Sequence, residues 1–223
     1  MGPEPTDLTS IPLFAGLRRD EIALIVAAAS RRIFEGSEII MSPEEPATRL
    51  YLIRGGHVDY FVLTGCGKEI LLRRMVPGDV FGVASFLSSP IGYLGTAKPA
   101  PRGEVLEWQR PAVLKLAQAY PRFPENALRV SLQYIALLAR RHARLVSSTA
   151  AERLASAITG LACRAGHALP SGVEIEIKNE ELASLSDTSL FTASRMLKRW
   201  EREGAVEKTR GKVLLRRPER LLS

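Results

Sequence analysis

Between Ile33 and Val113 the chain shows no helix-length apolar pattern. Short β-rich runs recur there instead, at residues 33–34, 38–41, 50–53, 58–63, 69–75, 80–81, 95–97 and 103–106. Turn formers separate them at 35–36, 43–46, 55–56, 65–67, 77–79 and 88–90, mostly glycine and proline. Many short strands with regular turn punctuation predict a sandwich or a small barrel. The pattern argues against a doubly wound parallel sheet, which needs a helical segment between successive strands.

Helical patterns flank this region. Residues 20–29 have an acidic start and place Ile22, Ile25, Val26 and Ala29 on one side. A short helix over 111–120 starts on Pro111, where the missing N–H costs nothing. From about 124 to 148, Leu128, Leu132, Ile135, Ala139, His142 and Val146 step by 4-3-4-3-4, an a/d seam. Arg129, Gln133, Arg140, Arg141 and Arg144 fall on the opposite face. Such a seam can pack on its own domain or on a symmetry mate; lying between two domains, it is expected to form a two-fold dimer. Another helix follows over 150–165, with Leu154, Ala155, Ile158, Leu161 and Ala162 on one side. Residues 166–172 are expected to be a loop, and 173–177 alternate like a strand.

Residues 179–204 (NEELASLSDTSLFTASRMLKRWEREG) predict two helices broken by a polar turn. Asn179 is the expected N-cap, with Glu180 and Glu181 in the first turn, where the helix dipole favours negative charge. Leu182 and Leu185 give the first helix an apolar side. Ser186-Asp187-Thr188-Ser189 interrupts: Asp tolerates left-handed backbone and Ser189 can cap the next helix. Ala193, Met196, Leu197 and Trp200 then share a buried stripe, and Ser194, Arg195, Lys198, Arg199 and Arg202 lie outside it. Gly204 ends the helix. Helix, short turn and basic helix make a helix-turn-helix, whose second helix enters a DNA major groove. Behind it, 205–208 and 212–216 around Thr209-Arg210-Gly211 predict a basic hairpin. Its Arg210 and Lys212 are placed to reach a phosphate backbone, as a wing does.

Charge agrees with this. The net charge is +7 and the pI about 9.7, which favours a polyanionic partner. Residues 186–223 hold ten Lys/Arg against five Asp/Glu, a net +5, whereas the first 149 hold 18 against 14, a net +4. The positive field is thus concentrated at the C-terminus. Cys66 and Cys163 lie far apart and outside any C-x-x-C pair, so neither a zinc nor an iron–sulfur framework can be drawn. No signal peptide is expected, and no apolar run approaches the ~20 residues that cross a bilayer. A cytoplasmic protein with no membrane partner is the expectation.

In the order of these motifs the sequence resembles the Crp/Fnr superfamily of bacterial transcription regulators. The N-terminal half carries Phe14-x-x-Leu17, Gly36, Tyr51-x-Ile53-x-x-Gly56-x-Val58, Gly67-Lys68-Glu69 and Pro77-Gly78-Asp79-x-Phe81-Gly82. The C-terminal half carries Glu152-Arg153-Leu154-Ala155, Glu181-Leu182-Ala183, Thr192-Ala193-Ser194-Arg195-x-Leu197 and Glu203-Gly204. The resemblance implies an α+β fold: an N-terminal double-stranded β-helix (a jelly roll like that of cyclic-nucleotide-binding domains), a long dimerisation helix and a C-terminal winged helix-turn-helix. The domains would run 11–123, 124–149 and 150–223. It implies a regulator, not an enzyme. Its partners would be a second copy, double-stranded DNA with a two-fold symmetric site, and RNA polymerase as a further candidate. By position, Ser194 and Arg195 would contact phosphate and base edges, Ser189 and Thr192 the DNA backbone, and Lys198 and Arg199 phosphates.

Two departures stand out. Family members often carry a polar or charged pair, frequently with a cytosine-reading Glu, where this chain has Leu190 and Phe191. These two could contact thymine methyls or tuck back into the domain. Members that bind cyclic nucleotides also carry Gly-Glu after the Phe and an Arg about ten positions on. Here Val83 follows Phe81-Gly82, and residues 91–96 contain neither Arg nor Lys. A buried phosphate without a cation is costly, so cyclic AMP and cyclic GMP are disfavoured. The expected pocket of Phe81, Gly82, Val83, Phe86, Tyr93 and Leu94 suits an uncharged ligand, a haem, or none. Haem would need an axial ligand from His57, His142 or His167, none at a position matched to a haem-sensing member. A cupin-like metalloenzyme fails on ligand count, since the β-region holds only His57. A sensor that docks on a protein instead of DNA is kept open by Leu190 and Phe191 alone.

Overall fold

The computed structural model describes residues 8–221 apart from 36, 37, 66, 90, 100 and 101, in two compact units. One holds the chain up to 69 together with 73–137; the other holds 70–72 and the chain from 138 onward. Gly36, Pro90, Cys66 and the side chain of Arg144 lie outside what is described.

The first unit opens with α1 (Arg19–Ala27), whose Glu21 carboxylate accepts the Arg18 N–H at 2.8 Å and so closes the helix start. Then come β1 (Ser30–Glu35), β2 (Arg49–Gly55), β3 (Val58–Leu63), β4 (Glu69–Met75, of which 70–72 are counted with the second unit) and β5 (Val80–Phe81). A 3-10 turn, Val83–Phe86, leads to β6 (Thr96–Pro99), β7 (Arg102–Gln109), α2 (Arg110–Ala119) and α3 (Arg122–Ser147). The strands form two sheets, β1-β7-β2-β5 and β4-β3-β6. The run at 38–41 forms only an isolated bridge, Met41 to Ala97, rather than a strand.

Strand β2 shows why the roll holds. Successive side chains point to opposite faces, and both faces are covered. Leu50 and Leu52 join Ile25, Trp108, Val113 and Phe123 under the helices. Tyr51 and Ile53 join Phe34, Val58, Phe81 and Val105 between the sheets. Trp108 donates its indole N–H to the Ile25 carbonyl at 2.7 Å, so its one polar atom is satisfied in the core. Asn126 of α3, also buried, donates to the carbonyls of Leu13 and Ala15 at 3.0 and 2.9 Å. Arg74 and Asp59 form a buried fork–fork pair with both contacts at 2.7 Å, joining β3 to β4.

The second unit contains the end of α3, then α4 (Ala150–Ala165), β8 (His167–Leu169), β9 (Gly172–Glu176), α5 (Asn179–Leu185), α6 (Leu190–Arg202), β10 (Val206–Thr209) and β11 (Lys212–Leu215). Its strands form one antiparallel sheet in the order β10-β11-β9-β8. The core is Leu154, Ile158, Ile175, Leu182, Leu197, Trp200 and Val213 with their neighbours. Two expectations need correction. Residues 167–169, expected in a loop, are a strand, because their pairing partner β9 lies just across the turn. Asn179 is the first residue of α5 rather than its cap. The Glu181 carboxylate accepts the Lys178 N–H at 3.0 Å, and the Asn179 amide donates to Ser194 Oγ at 3.2 Å.

Candidate functional site

A cavity of about 350 Å³ opens inside the first unit. The β-roll supplies Tyr60, Met75, Phe81, Gly82, Val83, Tyr93 and Leu94 among its walls, and α3 supplies Val130, Ser131, Tyr134 and Ile135. Gly82 makes the corner possible. Its φ is +78°, and a Cβ there would stand 2.3 Å from the Arg49 carbonyl oxygen. Phe81 stacks on Tyr51 with centroids 4.7 Å apart. The Tyr93 hydroxyl accepts the Arg49 N–H at 3.0 Å and donates to the Arg49 carbonyl at 3.2 Å, so what it offers the cavity is mainly its ring. Burial pushes the Tyr60 hydroxyl up to about 12 and raises that of Tyr93, so both walls stay neutral at working pH.

Five of the six pocket residues expected from sequence line this cavity. Phe86 is the exception: its ring packs edge-on against Phe123, 5.3 Å away, in the core under the helices. Sequence reasoning missed the cation. Arg73 lines the cavity from β4, where its guanidinium pairs with Asp79 and lies 5.4 Å from the Tyr134 ring centroid. Asp79 also accepts the Val76 N–H at 2.9 Å. The charge is therefore matched within the wall. None of His57, His142 and His167 lines the cavity, so its walls do not offer the imidazole a haem would take.

The helix-turn-helix is built from α5 and α6. Ser189 caps α6: its hydroxyl accepts the Thr192 N–H at 3.0 Å and lies 2.8 Å from the Thr192 hydroxyl. Ala193, Leu197 and Trp200 are buried, which turns Phe191, Arg195, Lys198 and Arg202 outward. These four recur at i, i+4, i+7 and i+11, one line down the exposed face. Leu190 is 46 % exposed and Phe191 74 %, so neither tucks back into the domain. Arg199 pairs with Glu203 at 2.8 Å, and Lys212 with Glu174 at 2.7 Å. Arg210 is exposed at the hairpin turn.

The turn between α5 and α6 is held from behind. Asp187 has φ +51°, the one positive-φ residue other than glycine among the described residues. Arg141 at the end of α3 grips its carboxylate with Nε and Nη2, both at 2.6 Å. Arg153 of α4 donates to the carbonyls of Ser186 and Asp187 at 3.1 and 3.2 Å. Sequence reasoning placed Arg141 only on the face opposite the seam, because its partner lies 46 residues on. Asp187→Ala is expected to destabilise this unit by about 1–3 kcal/mol. It loses a half-buried charged pair and puts a β-carbon where left-handed backbone disfavours it. Asp187→Gly should cost less, since it sheds the backbone part. Denaturant titration of both variants checks the order.

Along α3 all six seam residues face solvent. Leu128, Leu132, Ile135 and Val146 are 58, 55, 59 and 87 % exposed, and Ala139 and His142 are exposed too. The other side of the helix start, Phe123 and Ala127, is buried.

Comparison with known proteins decides the family. Residues 31–120 match the cyclic nucleotide-binding domain, and residues 152–223 the Crp-like helix-turn-helix domain. The cyclic AMP receptor protein of Thermus thermophilus is 31 % identical over 212 residues, covering 92 % of each chain. The chain belongs to the Crp/Fnr superfamily. As a Crp-family member it is a transcription regulator with a DNA-binding helix-turn-helix domain and an effector-sensing domain, and not an enzyme. A second relative, a cyclic-AMP-activated global transcriptional regulator of Mycobacterium tuberculosis, is 25 % identical over 211 residues and 94 % of each chain. The c-di-GMP-responsive regulator Clp of Xanthomonas campestris shares the fold, with a TM-score of 0.73, 21 % identity and coverage of 89 % of this chain and 99 % of that one. Among the described residues of this Crp-family chain, no helix is long and apolar enough to cross a membrane.

Proposed function

We propose that the protein works in the cytoplasm as a homodimer. In this reading, 11–123 senses an effector, 124–149 dimerises, and 150–223 reads a two-fold symmetric DNA site beside which the protein would act on RNA polymerase. The observation that carries this reading is the exposed apolar seam of α3. Four large apolar side chains on one line of a helix in water favour burial against a like surface. A two-fold axis along the seam would present two copies of α6 to half-sites about one DNA turn apart.

The effector is an uncharged apolar or aromatic molecule. The relatives named above are called receptors for, or activated by, cyclic AMP. In this chain Arg73, the one arginine of the cavity wall among the described residues, is already paired with Asp79, and Val83 and Tyr93 also line the space. A cyclic phosphate there would have to compete with a carboxylate for its cation. Ile135 belongs both to the cavity wall and to the seam, which gives the effector a route to the dimer. Mass spectrometry of the natively purified protein is expected to release a neutral small molecule or none, and calorimetry with cyclic AMP to show no binding heat.

DNA reading is tested by selecting duplexes from a random pool with the full-length protein and measuring anisotropy. Affinity should fall steeply with salt as phosphate-bound cations are released. Arg195→Ala is expected to lose about 1–3 kcal/mol per half-site and to flatten the preference at one base pair, the signature of a lost bidentate guanine contact. If this variant bound the selected site as tightly as the parent, Arg195 would not be the reader.

A further inference from the structure

We propose that Phe191 reads a thymine through its C5-methyl group, so that each half-site carries a T·A pair within two base-pair steps of the guanine read by Arg195. This rests on the DNA-reading assignment of α6 and adds to it the base chemistry of its leading residue.

Phe191 has no part in the core. The apolar stripe of α6 is made by Ala193, Leu197 and Trp200, all essentially excluded from solvent. Phe191 lies off that stripe in the first turn, with three-quarters of its surface exposed. It heads the outward line that continues through Arg195, Lys198 and Arg202, none of which forms an ion pair among the described residues. An apolar ring at the head of a cationic line is the reverse of what a solvated helix face would carry. It fits a ligand that is anionic along its length and apolar at one point, which is duplex DNA seen from the major groove. There every polar position of a base edge is a donor or an acceptor, and the single apolar group is the thymine methyl. A phenyl ring satisfies none of the donors and acceptors and packs on that methyl.

The spacing sets the register. Four residues of helix rise about 6 Å, which spans one to two base-pair steps of 3.4 Å. The Arg195 guanidinium carbon lies 5.9 Å from the Phe191 ring centroid, so ring and cation already share one patch of the helix surface. A ring packed on the methyl and a guanidinium on an adjacent or next-but-one guanine therefore come from a single helix turn.

The test starts from the duplex selected by the full-length protein. Each thymine of a half-site is replaced in turn by deoxyuridine, which keeps the pairing and removes only the methyl. One position per half-site is expected to lose about three- to tenfold in affinity, the effect of a single buried methyl group. At that position a 5-methylcytosine·guanine pair should bind better than cytosine·guanine. Phe191→Ala should erase the difference between thymine and deoxyuridine, and its exposure means that the fold tolerates the change. If deoxyuridine binds as tightly as thymine at every position, or if Phe191→Ala keeps the discrimination, the proposal fails while DNA reading stands. If the pool yields no preferred duplex and Phe191 instead mediates binding to a protein, both fail.

Discussion

Leu128→Glu combined with Leu132→Glu is expected to leave the protein monomeric and to cut its affinity for a full two-fold site by at least about 100-fold. Both leucines lie in the exposed seam of α3 and outside every buried cluster. Burying a leucine is worth about 1.5–3 kcal/mol, and a two-fold axis counts each side chain twice. The substitutions remove that gain and set four carboxylates against one another across the axis. Without the dimer, the second half-site loses its effective concentration, an effect of about 10²–10⁴. Analytical ultracentrifugation reads the first consequence, and anisotropy on full-site and half-site duplexes the second. Half-site binding should survive, because α6 is untouched. A variant that still sediments as a dimer would show that the seam does not mediate association.

Trp200→Ala is expected to destabilise the second unit by about 3–5 kcal/mol, the usual cost of truncating a large buried aromatic. Trp200 is 1 % exposed and packs in the cluster that joins α4, α5, α6 and the wing sheet. A domain of this size is stable by only about 5–15 kcal/mol, so this is a large fraction of the whole. For such a domain each kcal/mol moves the melting temperature by roughly 4–8 °C, so the transition of this unit should drop by on the order of 15 °C or more. DNA affinity should fall with it, because Arg195 and Lys198 depend on the same helix. Differential scanning calorimetry should show one transition moved and the other in place. An unshifted thermogram would mean that α6 is not anchored by this residue.

Much of the architecture was legible because it is written locally. Strands at 58–63, 69–75 and 80–81, and the helix at 150–165, have the expected limits. Alternation, turn residues and capping act within a few residues of chain. Ser189 caps α6, and Asp187 adopts left-handed backbone, for the same reason. What was missed depends on distant partners. Residues 167–169 have no strand pattern of their own and become a strand by pairing with β9. Phe86 looked like a cavity wall beside Phe81, and the 3-10 turn carries it to Phe123 instead.

The residues themselves carried the resemblance to the family, in the order of their motifs, and showed the helix-turn-helix with its outward basic line and the apolar seam, because these two rest on periodicity along one element. Only tertiary structure decided which charges are spent and which are available. Arg73 reaches the cavity but is matched by Asp79, and Arg141, known from the pattern only as a residue opposite the seam, clamps Asp187. Phe191, which the residue pattern left between DNA, protein and core, stands exposed beside Arg195. Periodicity says which face of a helix a side chain takes, whereas charge pairing and exposure are set by what the fold brings against that face.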